Sequence, residues 1–145
     1  MGIRIALDVG LNEIADEAQA VADCVRQADV FLPNEAELLA LTRARTLPEA
    51  LDAAAGWCTA LVVKRGPAGA IVATRDGRTA VTVGLRPVQV RDRTGAGDAF
   101  AGALVAALHR GATLTEAAAA GNTAGSQTVG VLGGVGEVAV AGLGR

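Results

Sequence analysis

One seven-residue segment, Asp92 to Asp98 (DRTGAGD), contains residue types that suit phosphoryl transfer. Gly95 and Gly97 allow the backbone to turn tightly and to approach a ligand without a Cβ atom in the way. Apolar residues at helical spacing begin near Ala96, which predicts that the segment opens a helix. The first amides of a helix are unpaired and carry the positive end of its dipole. The segment is therefore a candidate anion site.

Asp98 is an unusual residue for a site that only binds phosphate, because its carboxylate would repel the ligand. It suits a site in which it takes a proton from an attacking hydroxyl group while the amides hold the transferred phosphoryl group. Two other interpretations fit the same spacing. Gly95 and Gly97 could begin a dinucleotide-binding fingerprint, although Phe100 stands where the third glycine is required. Asp98 could also simply favour the first turn of a helix.

A second pair, Asn34 and Glu37, has the spacing of a helix capping box, in which each side chain accepts a backbone amide at the start of a helix. On spacing alone the cap is the favoured interpretation. Lys64 ends an apolar run, and a solvated lysine at the end of a strand is the expectation there. His109, the only histidine, is expected at the surface near the end of its helix.

Alternating strands and helices are predicted to position these residues. The run 59–64 is uninterrupted and apolar, as in a strand that a parallel sheet buries on both faces. Alternation of this kind predicts an α/β fold with a mostly parallel sheet. The expected strands are 3–9, 28–33, 59–64, a hairpin around Asp76-Gly77 and 88–90, and the expected helices are 13–27, 34–42, 48–58, 96–110 and one capped by Thr115.

Composition bounds the class of protein. The 145 residues fit one domain, and with no basic run and 2% aromatic residues the chain does not resemble a nucleic-acid binder. Its most apolar stretch, 99–108, is too short to span a bilayer, and no signal peptide is evident. We therefore expect a cytoplasmic protein without membrane contact, in which Cys24 and Cys58 are small buried hydrophobic residues.

The segment DRTGAGDAF resembles the second signature of the phosphofructokinase B family of ribokinase-like sugar kinases, usually written D-T-x-G-A-G-D-x-F. The resemblance implies that Asp98 is the catalytic base. It also implies that the amides of Gly95, Ala96 and Gly97 form an anion hole for the γ-phosphate of ATP.

Two further stretches are similar to the same family. ADVFLPNEAELLALT resembles the segment around its N-x-x-E motif, which implies that Asn34 and Glu37 help to organise Mg²⁺, with Glu37 acting through water, and the phosphates. VVKRGPAGAIV resembles the nucleotide-contacting segment T-x-G-x-x-G. Gly66 and Gly69 match that pattern, while Lys64 replaces the common threonine and could reach a phosphate.

The resemblance carries two more expectations. AAAAGNTAGSQTVGVLGG resembles the helix that borders the adenine pocket, with Asn122 where relatives often carry a nucleotide-contacting polar residue. An ordinary amide on a helix surface is an equal alternative for Asn122. Asp92 and Thr94 match the residues that place a potassium ion in many relatives.

The resemblance covers nearly the whole chain but only the second half of the family's usual length. It implies a ribokinase-like three-layer fold in which residues 1–145 form the C-terminal nucleotide-binding and catalytic portion, with the N-terminal half and its lid absent. Most contacts to the sugar belong to that absent half. A sheet without it would expose an apolar edge, where a second copy or a partner chain could pair.

The leading hypothesis is ATP-dependent phosphoryl transfer to a sugar or sugar-like hydroxyl, incomplete in this chain alone. The alternative is a non-catalytic nucleotide-binding or interaction module derived from a sugar kinase. A dinucleotide-dependent dehydrogenase ranks far behind, because the third glycine and a ribose-binding acid at the expected spacing are missing.

Overall fold

In the part of the chain that the structure describes, five strands form one sheet in their order of sequence. The computed structural model describes residues 4–81 and 95–128. The strands are β1 (Ala6–Leu7), β2 (Val30–Phe31), β3 (Ala60–Lys64), β4 (Ala70–Thr74) and β5 (Gly77–Val81). β1, β2 and β3 pair in parallel, and β3, β4 and β5 pair antiparallel. The predicted α/β fold is confirmed as a mixed sheet, in which the hairpin around Asp76-Gly77 adds the antiparallel part.

Within the same described residues, five α-helices and one short 3₁₀ turn connect and cover the strands. They are α1 (Leu11–Val25), α2 (Glu35–Thr42), α3 (Leu47–Ala53), the turn Gly66–Ala68, α4 (Ala96–His109) and α5 (Leu114–Thr128). The cap of α5 is Thr113, not the predicted Thr115. The hydroxyl of Thr113 accepts the backbone amide of Glu116 at 3.3 Å, and the backbone amide of Thr113 donates to the Glu116 carboxylate at 2.8 Å. The strand predicted at 88–90 lies outside the described residues.

The sheet is the middle of three layers. Side chains alternate along a strand, so Leu61 and Val63 of β3 face α1, α2 and α3, while Val62 faces α4 and α5. Val62 and Val63 have no exposed surface. Burying a side chain of this size stabilises a fold by roughly 1.5–3 kcal/mol, so β3 is anchored from both sides and fixes Lys64 at its end.

Glycines let α4 and α5 approach each other closely. A Cβ atom added at Gly121 would lie 3.0 Å from the ring of Phe100, and one at Gly125 would lie 3.1 Å from the carbonyl oxygen of Ala96. Such distances leave no room for a larger residue unless a neighbour moves. The start of α4 is thereby packed directly on α5.

The outer side of β1 pairs with no other strand among the described residues. The large hydrophobic residues that are most exposed in the described ranges are Ile5, directly before β1, Leu11, at the start of α1, and Val105, on α4, each nearly half exposed. A groove of about 530 Å³ runs between β1 and α4, and Ala6, Leu32 and Val105 contribute to its lining. We use the name β1-edge patch for the exposed residues Ile5 and Val105 together with the groove between β1 and α4. Within residues 4–81 and 95–128, every helix is too short or too polar to cross a membrane.

The two cysteines differ from expectation. Both are free thiols, but Cys24 is exposed on α1, so its predicted burial is wrong. Cys58 is half-buried, and its Sγ donates to the carbonyl oxygen of Ala60 at 3.1 Å. Burial raises the pKa of the Cys58 thiol, which keeps it protonated at neutral pH.

Candidate functional site

The carboxyl ends of β1, β2 and β3 meet at one edge of the sheet because these strands are parallel. In open α/β sheets this edge is where ligands bind. Asp8 follows β1, Asn34 follows β2 and Lys64 ends β3. Together with Glu37 and the start of α4, these residues form what we call the carboxyl-edge site.

Asn34 and Glu37 form the capping box that their spacing predicts. The amide of Glu37 donates to Asn34 Oδ1 at 2.9 Å, and the amide of Asn34 donates to Glu37 Oε2 at 2.7 Å. Glu37 is also buried, with 7% of its surface exposed. Burial raises the pKa of Glu37, although the bond from Asn34 and the positive charge of Lys64 oppose this shift.

Lys64 is not the solvated residue that its place at the end of a strand suggested. Its side chain is 13% exposed, and Nζ lies 2.6 Å from Asp8 Oδ2. A Cβ atom added at Gly97 would lie 3.6 Å from Nζ, so the ammonium group stands beside the first turn of α4. The structure thus brings together Lys64, the N-x-x-E pair and the start of α4 at Gly97, which are distant in sequence.

Asp8 is a member of this site that the sequence reasoning missed. Its carboxylate is 30% exposed and binds Lys64 across the end of β2. The available signal was its position, since an acidic residue directly after a strand of a parallel sheet lies at the ligand-binding edge. Asp8 could be assigned to the site on this ground only if the strand order was known, and the sequence did not predict the strand order.

Gly95 to Asp98, the described part of the segment 92–98, open α4 as predicted. Gly95 is the N-cap with φ of 77°, a left-handed conformation that favours glycine, and no side chain caps the helix. The amide of Ala99 begins the helical bonding by donating to the Gly95 carbonyl oxygen at 2.9 Å. Asp98 lies exposed in the first turn, and its side chain makes no hydrogen bond to any other described residue. Its carboxylate is therefore accessible to a bound ligand.

Gly66 and Gly69 shape the turn after β3. Both have positive φ, 53° and 85°, and the amide of Gly69 donates to the Gly66 carbonyl oxygen at 3.0 Å. A Cβ atom at Gly66 would meet nothing within 4 Å, so the backbone there faces open space. An ion pair of 3.1 Å between Arg65 and Glu35 ties the turn to the start of α2.

Asn122 lies on α5, which packs against the Gly66–Ala68 turn. It is 6% exposed, so its interpretation as a surface amide is wrong. His109 is exposed near the end of α4, as expected.

Asp92 and Thr94, the residues expected near potassium, lie outside the described residues. Within the described ranges, no three acidic, histidine or cysteine side chains cluster to hold a metal ion. Mg²⁺ usually keeps several waters and is held by one or two carboxylates together with substrate phosphates. Glu37, whose carboxylate is the one that is buried among the described residues, lies beside Asn34 and suits that mode of binding rather than a cage made of protein ligands.

The model of the pfkB family carbohydrate kinases matches residues 7–138. The chain is 32% identical over 119 residues to a cytidine kinase of Thermococcus kodakarensis, covering 79% of this chain and 43% of that protein. It is 39% identical over 142 residues to the bifunctional protein HldE of Halorhodospira halophila, covering 90% of this chain and 28% of that one.

Solved structures of kinases are also similar to this chain. A fructokinase from Vibrio cholerae, solved with fructose, ADP and a calcium ion, is similar with a TM-score of 0.81 and 31% identity, over 90% of this chain and 46% of that one. An adenosine kinase from Sinorhizobium meliloti gives a TM-score of 0.86 and 25% identity, over 93% of this chain and 42% of that one. The chain spans less than half the length of each of these four relatives.

Proposed function

Because the chain belongs to the pfkB family of carbohydrate kinases, we propose that it binds ATP at the carboxyl-edge site and serves transfer of the γ-phosphoryl group to a sugar or sugar-like hydroxyl. The observation that supports this proposal best is the position of Lys64, whose Nζ lies 3.6 Å from where a Cβ atom of Gly97 would be. An ammonium group and a helix start both attract phosphate oxygens, and here they stand together.

Asp98 is the proposed catalytic base. It would accept the proton of the acceptor hydroxyl while the backbone of Gly95, Ala96 and Gly97 holds the phosphoryl oxygens. The exposed position of Asp98 in the first turn of α4 supports this role, because the carboxylate is free to meet a substrate.

The nucleotide is proposed to lie along the turn after β3. Gly66 and Gly69 would let the backbone approach it, and Asn122 would contribute a polar contact from α5. Lys64 would bind a phosphate. The open space in front of Gly66 supports this arrangement.

Asn34 and Glu37 are proposed to hold Mg²⁺, mostly through water, and Asp92 and Thr94 to hold K⁺. Mg²⁺, when bound, neutralises charge on the phosphates. The residues themselves contribute a fixed geometry, because the capping box holds Asn34 and Glu37 to each other by two hydrogen bonds.

Turnover by this chain alone is proposed to be slow or absent. Phosphoryl transfer depends on positioning groups in a site that excludes water, whereas Asp98 is exposed. Ordinary kinase rates with Mg-ATP and a panel of sugars and nucleosides would contradict this part of the proposal.

The test is calorimetric titration with ATP and Mg²⁺, with and without K⁺, of the protein and of its Asp98→Asn variant. Both should show saturable, magnesium-dependent binding, because Asn is nearly isosteric and the Asp98 side chain has no hydrogen bond to another described residue. Any measurable turnover should fall about 10²-fold or more in the variant, which is the usual contribution of a general base. Absence of binding at millimolar nucleotide in a folded sample would contradict the proposed function.

A second candidate function is that of a non-catalytic interaction module. The β1-edge patch favours it, since an unpaired strand edge with exposed apolar residues beside it is a template for another chain. The partner would be a second copy or a separate chain, and association would be independent of sugar. A monodisperse monomer in light scattering would count against self-association.

A further inference from the structure

Lys64 is the only lysine in the chain, and the other twelve of its thirteen basic residues are arginines. The one ammonium group on a side chain therefore lies at the carboxyl-edge site. Lysine carries a compact charge on a flexible stem, whereas arginine presents a broad planar fork. A group that stands 3.6 Å from the Cβ position of Gly97 suits the smaller head group.

The lysine side chain crosses the end of the sheet. Its backbone amide bonds the carbonyl oxygen of Pro33 at 2.8 Å beside β2, while Nζ reaches Asp8 beyond β2 at 2.6 Å. The other carboxylate oxygen of Asp8, Oδ1, accepts the amide of Val9 at 3.0 Å. One oxygen of Asp8 is thus fixed by the backbone, and the other holds the ammonium group.

Glu37 is the competing partner. Its carboxylate lies close enough to Lys64 for the two charges to interact, yet among the described residues only Asp8 accepts a hydrogen bond from Nζ. An ammonium group has three donors, of which one is bonded within the described part of the chain. Without Asp8, no hydrogen bond to a described residue would hold Nζ in its present place beside α4.

We propose that Asp8 is a positioning residue that holds the Lys64 ammonium group beside Gly97, where it meets the terminal phosphate of ATP. This inference rests on the proposed function, because it concerns the same phosphate. Asp8 acts through Lys64 and does not touch the nucleotide. Its removal should therefore affect ATP more than ADP, which lacks the terminal phosphate.

The pairing can be tested without nucleotide. Since Lys64 is the only lysine, its rate of acetylation is read by mass spectrometry of a single peptide. Asp8→Asn should raise that rate severalfold, because the amine loses its ion pair and gains exposure. Asp23→Asn is the matched control, since it removes a carboxylate from the exposed 2.7 Å pair with Arg26 and should leave the rate unchanged. An unchanged rate in Asp8→Asn would show that Asp8 does not hold the lysine.

The positioning role is tested by calorimetry with ADP and a non-hydrolysable ATP analogue in Mg²⁺. The unsubstituted protein should prefer the ATP analogue by about tenfold, the ratio expected for one charge-assisted hydrogen bond. Lys64→Met should reduce the preference severalfold, because only the amides at the start of α4 then hold the terminal phosphate, and Asp8→Asn should reduce it nearly as much. The double variant should match Lys64→Met, and Asp8→Glu should restore part of the preference.

Two results would overturn the inference. One is an equal change for both nucleotides in Asp8→Asn, and the other is an effect of Asp8→Asn that persists when Lys64 is Met. Failure of the unsubstituted protein to bind either nucleotide would instead overturn the proposed function and with it the phosphate role of Lys64. The acetylation result would still decide whether Asp8 holds the lysine.

Discussion

At the scale of single residues, Glu37 combines a structural and a chemical property. It closes the capping box of α2, and it is buried at the site. The box follows from the sequence, because the motif is local. The burial of the Glu37 carboxylate could not be predicted from the sequence, because it depends on elements from elsewhere in the chain that pack around it.

The buried carboxylate predicts a pH dependence of stability. Burial raises the pKa of Glu37 above its ordinary value of 4.5, so folding favours the protonated form. The stability that this group contributes is therefore present below the pKa of the unfolded chain and is lost as pH rises through the folded pKa. Glu37→Gln keeps the cap, since glutamine also serves in a capping box, and carries no charge. Its free energy of unfolding should exceed that of the unsubstituted protein at pH 7.

Urea denaturation across a pH series measures this difference, which should shrink as pH falls toward the unfolded pKa. Glu49→Gln is the matched control, because Glu49 closes the equivalent capping box of α3 but is exposed. A Glu37→Gln variant that is less stable than the unsubstituted protein at neutral pH would contradict the claim that the buried charge of Glu37 destabilises the fold.

At the scale of elements, the sequence predicted α4 closely. Its glycine start and its apolar spacing are local signals, and the observed helix, Ala96–His109, ends one residue before the predicted limit. α5 was found, but its start was misplaced, because Thr113 and Thr115 are equally good caps by residue type. α3 ends at Ala53, five residues before the predicted limit, and Gly56 with φ of 81° lies in the turn that follows.

The close approach of α4 and α5 predicts opposite effects of two glycine substitutions. Gly121→Ala should lower the free energy of unfolding by about 1–3 kcal/mol, because the new methyl group meets the buried ring of Phe100 at 3.0 Å. Gly102→Ala, in α4, should raise it by up to about 1 kcal/mol, because alanine favours the helix and nothing lies within 4 Å. Thermal denaturation of both variants measures these changes in stability. Equal shifts of the melting temperature would show that the contact with Phe100 relaxes freely.

At the scale of the whole molecule, the three-layer arrangement could be predicted from the alternation of strands and helices. The meeting of Asp8 with Lys64, which are 56 residues apart, could not. It requires β1 and β3 to flank β2 in parallel, and strand order is a property of the assembled sheet. For the same reason, the sequence did not predict that Asn34, Glu37, Lys64 and the start of α4 would lie at one edge of the sheet.

The β1-edge patch predicts association that a charge should weaken. Val105→Glu places a carboxylate in the groove beside β1 and should shift the protein toward monomer in light scattering at equal concentration. Ala53→Glu is the control, because Ala53 is exposed on α3 in the opposite layer. If both variants and the unsubstituted protein give the same mass, the patch is not an interface between copies.

The order of the layers has a consequence for synthesis on the ribosome. The sheet and the layer of α1, α2 and α3 are translated first, whereas α4 and α5 follow only after residue 95. Until those helices emerge, Leu32, Val62 and Val72 face solvent on a nascent chain whose other face is already covered. Exposed apolar surface on an incomplete chain is prone to aggregation, so chaperones should protect the nascent protein most at this stage. The start of α4, where we propose that phosphate binds, joins the rest of the carboxyl-edge site only late in translation.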